Sequence, residues 1–173
     1  MKKLFFILFL PALFTSCKTT GNSIKNVGVM TVFMEAGTLK YYIRPAKMKA
    51  AESTDKSYVM IDFTYQMKNR EYVSQAYTNF TLHASNDAFI EKAHFLLSSG
   101  KTVPLSDIKT LDRDVKQGYI RVSTVLEKGS VKEVLEALNK TSAVLEITLD
   151  NGVSQKFVAA QDLIDKIAEA FNK

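Results

Sequence analysis

The sequence predicts a mainly β fold that becomes α+β at its C-terminal end. The expected form is an antiparallel β-sandwich-like or curled sheet with two short amphipathic helices. Three observations predict it. Apolar and polar residues alternate along many short runs, the period-two pattern that a half-buried strand requires. Short polar turns separate those runs at hairpin spacing, which suits antiparallel neighbours. Helical periodicity appears only late, from Ser130 and again from Gln161.

The elements follow in order. Residues 27–33 are rich in β-branched side chains, and with 38–44 they form a first hairpin about Gly37. Pro45 ends the second run, and 46–56 reads as a polar connection. Residues 57–66 are the clearest strand, with Val59, Ile61, Phe63 and Tyr65 on one face and Met60, Asp62, Thr64 and Gln66 on the other. Lys68, Asn69, Arg70 and Glu71 turn the chain into 73–83, where Ala76, Thr78, Phe80 and Leu82 face inward. Residues 93–97 and 101–105 pair across the Ser98-Ser99-Gly100 turn. Residues 107–116 are charged and read as a loop; 118–126 returns to strand.

Ser130 and Glu133 match the S-x-x-E capping box, which satisfies two orphan N–H groups at a helix start. Val131, Val134, Leu135 and Leu138 supply that helix's apolar stripe. Residues 143–149 and 154–159 form a hairpin about Asp150-Asn151-Gly152, since Asn-Gly tolerates positive φ. Residues 161–172 form the second helix, with Leu163, Ile164, Ile167, Ala168 and Phe171 on one face. The total is seven to nine strands.

The chain's 173 residues suit one globular domain, at 46% apolar and 24% charged. One cysteine excludes an intrachain disulfide framework and a cysteine-based zinc site. The net charge of +5 is scattered among acids, so no nucleic-acid partner is expected.

The first residues carry an address. Lys2 and Lys3 form a basic head, and an unbroken apolar run spans residues 4–10. This is a secretory leader, well short of the roughly 20 apolar residues of a spanning helix. The stretch Leu13-Phe14-Thr15-Ser16-Cys17 resembles the lipobox of bacterial lipoproteins, with Phe14 where Leu is most usual. That resemblance implies cleavage before Cys17, a lipid on its thiol, and a membrane partner through that anchor. It also implies residence in the bacterial cell envelope. Lys18 is not the Asp of inner-membrane retention in enteric bacteria, so the outer membrane facing the periplasm is expected. The organisation is then 1–16 signal peptide, 17–26 lipidated cysteine and flexible tether, and 27–173 a single globular β-rich domain.

No motif announces chemistry. Ser99-Gly100-Lys101-Thr102 ends like a phosphate loop, but Phe95 stands where the first glycine belongs and Pro104 follows. His83 and His94 match no metal-ligand spacing, and Asp107, Asp112 and Asp114 lack an EF-hand frame. No cofactor or metal is expected. Tyr58 and Tyr77 fall on the polar faces of their strands, and Tyr41-Tyr42 puts one ring on each face. With Arg44 these form a candidate binding surface, because exposed Tyr gives large contact area at low entropic cost. Lys40, Arg44, Lys47 and Lys49 form a basic run beside it that suits anionic lipid.

The expected function is a lipid-anchored envelope protein with a non-catalytic binding or structural role, with an envelope protein as a possible partner. A small envelope hydrolase built from distant loops and a carrier of an apolar ligand are the alternatives. Cells fed a fatty-acid analogue should label this protein, and Cys17→Ala should abolish the label. Equal labelling of the variant would refute the anchor.

Overall fold

The computed structural model describes residues 28–52, 54, 56–84 and 88–173. The expected leader, Cys17 and the expected tether lie outside the described residues. The strands are β1 (Val29–Phe33), β2 (Thr38–Ala50), β3 (Tyr58–Lys68), β4 (Glu71–Tyr72), β5 (Ala76–His83), β6 (Ile90–Leu97), β7 (Thr102–Pro104), β8 (Ser106–Asp114), β9 (Tyr119–Leu126), β10 (Ala143–Leu149) and β11 (Ser154–Ala159). The helices are α1 (Lys128–Asn139) and α2 (Gln161–Phe171), and a short 3-10 turn spans Glu35–Gly37.

All the strands belong to one antiparallel sheet, in the order β7-β6-β10-β11-β2-β3-β5-β9-β8, with β1 added to β2 and β4 to β3. The two end strands, β7 and β8, are consecutive in the chain and joined through Leu105, whose N–H donates to Ala93 O at 2.9 Å. The sheet therefore curls until it is nearly barrel-shaped. Strand twist supplies part of the curl, and register shifts add bends. One shift lies in β2 between Ile43 and Ala46, where it lifts Pro45, which has no N–H to give, out of the ladder.

The concave face is apolar. Ile43 and Met48 of β2, Ile61 and Phe63 of β3, Phe80 of β5, Val122 of β9 and Leu145 of β10 are all buried there. Both helices fill the hollow. Val131, Val134, Leu135 and Leu138 of α1 are fully buried, as are Leu163 and Ile167 of α2. The convex face carries the alternate residues, including Tyr58, Asp62, Tyr77 and His83, at intermediate or open exposure.

Five local expectations are corrected. The described residues hold eleven strands against the seven to nine expected, and on α2 Phe171 is 41% exposed while Ala170 is buried in its place. The polar connection at 46–56 is largely strand, because β2 runs through the bulge to Ala50, with Ala46 and Met48 inward and Lys47 and Lys49 outward. The charged loop at 107–116 is mostly β8. It is the last strand of the sheet and mostly exposed, so ladder bonds to β9 define it rather than an apolar face. The capping box does not form. Helix α1 already begins at Lys128, its N-cap Glu127 makes no side-chain cap bond, and Glu133 pairs with Lys101 instead.

Leu135→Ala should cost about 2–5 kcal/mol, because it opens a cavity where sheet and helix meet. Glu133→Gln should cost under about 1 kcal/mol, because its ion pair is exposed to solvent. Urea midpoints of the two variants check the contrast.

Candidate functional site

The curled sheet leaves a cleft of about 560 Å³ at one end. Its walls are the start of β2 (Leu39, Tyr41), the β3–β4 hairpin (Met67, Asn69, Arg70, Tyr72), α1 (Lys132, Glu136) and the C-terminal end of α2 (Ala170, Phe171) with Lys173.

Local sequence builds this mouth. Asn69 and Arg70 both take positive φ, 51° and 66°. A two-residue hairpin turn needs that conformation at both central positions, and Asn accepts it readily. The turn sets Met67 opposite Tyr72, while the β2–β3 register sets Leu39 opposite Met67 and Tyr41 opposite Tyr65. Three tyrosines therefore converge. Tyr41 stacks on Tyr65 with ring centroids 5.2 Å apart and planes 4° from parallel. Tyr65 meets Tyr72 at 5.2 Å, tilted by 42°.

Their hydroxyls sit in different surroundings. Tyr65 is 1% exposed and its hydroxyl finds no hydrogen-bond partner among the described residues. Burial pushes its pKa far above the ordinary tyrosine value, with Tyr72 and Tyr41 adding to the effect. Tyr72 is pushed up to about 12, by burial first and then by Glu136 and Tyr41. Both rings stay protonated across the physiological range; of the two, Tyr72 lines the cleft and offers an O–H donor there and no base.

Charge at the rim is mainly positive. Lys132 Nζ lies 3.9 Å from Glu136 Oε1. Lys173 pairs with Glu169 at 2.9 Å and donates to Val29 O. Arg70 has neither a hydrogen bond nor an ion pair among the described residues. The arrangement offers aromatic and aliphatic walls, hydroxyl donors and one unpaired guanidinium.

The five residues expected to share a binding surface do not form one cluster. Tyr41 is buried, 5% exposed, and lines the cleft from the concave side. Tyr42 and Tyr77 flank Thr64 in one row on the convex face. Arg44 is exposed at the β2 bulge. Tyr58 lies six residues from Thr64 along β3, roughly 20 Å away. It groups instead with Lys47, whose Nζ is 4.4 Å from the ring centroid, and with His83, stacked at 4.3 Å. Tyr119 continues that row and donates to Asp112 at 2.8 Å.

The two histidines are separate. His94 lies 3.4 Å from Glu146 on another part of the sheet. Among the described residues no group of three His, Cys, Asp or Glu is placed to hold a metal ion. Arg70, Tyr72, Lys132 and Glu136 were not singled out as candidates from sequence. The Asn69-Arg70 turn between aromatic strands was their one local signal. Comparison with protein-family models, curated proteins and solved structures finds no match for this chain.

An unfolded chain releases the Tyr72 proton near the ordinary value of 10.0, whereas the folded chain holds it to about 12. Stability is therefore unaffected below that window and falls as pH rises through it. Tyr72→Phe should remove its share of that fall, leaving the part due to Tyr65. Urea midpoints measured on both sides of the window test this; an unchanged alkaline decline would contradict it.

Proposed function

We propose that this chain is a lipid-anchored protein of the bacterial cell envelope with a non-catalytic binding role, and that the cleft at the sheet's mouth is where it binds. The lipobox-like run ending at Cys17 supports the address. The observation that carries the binding role is the presence in one cleft of an aromatic wall, Tyr41 and Tyr72, and of the Arg70 guanidinium, which is unpaired among the described residues. About 560 Å³ accommodates a small molecule, and walls of this composition suit one with a flat or aliphatic body. The mainly basic rim favours an acidic group on that molecule, because Arg meets carboxylate or phosphate with two parallel N–H bonds.

The chemistry of the walls favours holding over transforming. Tyr72 remains a hydroxyl donor below about 12, and Glu136 stands beside Lys132. The open mouth also distinguishes this reading from a carrier that encloses an apolar ligand. Here the ligand's polar end would remain at the rim, next to Arg70.

Phenylacetate, benzyl alcohol and benzylamine serve as graded probes with one ring in common. Titration followed by the Met67 methyl resonance should show saturable shifts with phenylacetate, weaker ones with benzyl alcohol and none with benzylamine. Arg70→Ala should erase the preference for phenylacetate while leaving the fold intact, because Arg70 is exposed on a turn. Equal response to all three probes, or none to any, would contradict the assignment.

A further inference from the structure

We propose that the β1–β2 hairpin is the surface by which this domain rests on an anionic bilayer. The inference extends the lipid-anchor reading, but it stands on different residues. Strand β1 is an edge strand with four exposed large apolar residues at or just past it. Met30 is 46% exposed, Val32 40%, Phe33 73% and Met34 39%. A free apolar edge in water invites association, so such a patch marks a surface that something covers.

The register shows what sort of surface it is. Met30 lies opposite Tyr42 and Val32 opposite Lys40, so these four side chains share the convex face. The row continues through Thr64 to Tyr77, 52% exposed. Lys40 Nζ sits 5.1 Å from the Tyr42 ring centroid. Arg44 and Lys68 flank the same hairpin in exposed positions, with Glu35 and Glu71 as the nearby acids. Apolar side chains, phenol rings and long cations side by side match the layers of a bilayer interface. Acyl chains take the apolar groups, rings settle at headgroup depth, and cations meet anionic lipid.

The chain's own connection selects a membrane over other partners. Only ten residues, 18–27, separate Cys17 from Gly28. Fully extended they reach at most about 35 Å. A lipid on Cys17 would therefore keep the start of β1, the first strand in chain order, within that reach of the bilayer. The exposed tip, Phe33 and Met34, ends that first hairpin. Phe33 lies opposite Leu39, on the other face of the strand from Met30 and Val32, so it reports on the hairpin's tip and not on the convex row.

The test uses the absence of tryptophan from this chain. Phe33→Trp places a single reporter at the tip, and Leu111→Trp places one on β8, where Leu111 is 55% exposed. Residues 28–173 contain the strands, both helices and the core described above, so the reporters are carried on the chain from Lys18, whose circular dichroism must match that of the full chain. A histidine tag at its start, held by a nickel-chelating lipid, replaces the acyl anchor. The outcome then does not depend on whether Cys17 is acylated. Vesicles of phosphatidylcholine and phosphatidylglycerol carry brominated acyl chains as quencher.

The expected result is a shift to shorter wavelength and strong quenching for Phe33→Trp, with neither for Leu111→Trp. Replacing phosphatidylglycerol by phosphatidylcholine should weaken the quenching. Phe33→Trp emission that stays water-like on tethering vesicles would overturn the proposal. So would a shift that grows with protein concentration in the absence of lipid, since a second copy would then cover the face.

Discussion

One constraint organises this domain: a single antiparallel sheet has curled almost to closure and must fill its own concave side. The hollow is too wide for strand side chains to fill alone, so two helices enter it. Val131, Val134, Leu135 and Leu138 from one, and Leu163 and Ile167 from the other, lie completely buried against Phe63, Phe80, Leu145 and Phe157. Dense packing makes each such side chain a partner of several others. Neither layer can bury its apolar face without the other. The late position of both helices in the chain follows from this arrangement. Helix α1 links β9 to β10 and crosses the hollow, while α2 follows β11 and covers what remains.

The cleft is a consequence of the same constraint. The helices fill the hollow along most of its length, but at the end where β2 begins the filling stops at Ala170 and Phe171. The β3–β4 hairpin folds over that opening and contributes Tyr72 and Arg70. Tyr65, a buried phenol whose hydroxyl has no hydrogen-bond partner among the described residues, lies behind the wall. Burying a hydroxyl without a hydrogen bond is costly, and such costs concentrate where a fold serves something besides stability. The convex face is different in kind. Several of its rings are engaged with each other or with cations, as in the Lys47, Tyr58 and His83 row, where burial together with Lys47 lowers the His83 pKa.

The parts legible in the sequence were those governed by local periodicity. The alternation of Val59, Ile61, Phe63 and Tyr65 placed β3 correctly, and the stripe on α1 names the residues it buries. On α2 Leu163 and Ile167 are buried as expected, but Phe171 is 41% exposed and Ala170 is buried instead. Pro45 looked like a terminator because a proline normally leaves a strand, but a register shift carries it outside the ladder. Strand β8 lacked a signal because it is open to solvent over most of its length, and Leu111 on it is 55% exposed. Ser130 resembled a cap because its spacing to Glu133 is right, yet the backbone of Glu127 had already begun the helix. The tyrosine cluster was not legible, since bringing Tyr41, Tyr65 and Tyr72 together requires the registers of three strands. Alternation tells which face a residue takes and says nothing about its neighbour across the ladder.

The claim on which the rest depends is that sheet and helices are one cooperative unit. Native-state hydrogen exchange tests it most directly, because it resolves the opening free energy of each amide. Amides from Leu135 to Asn139 in α1 and from Asp165 to Ala170 in α2 should exchange with the same opening free energy as those of Phe63 and Val122 in the sheet. All should equal the global unfolding free energy. Helix amides that open at a far lower free energy while the strands remain protected would contradict this account.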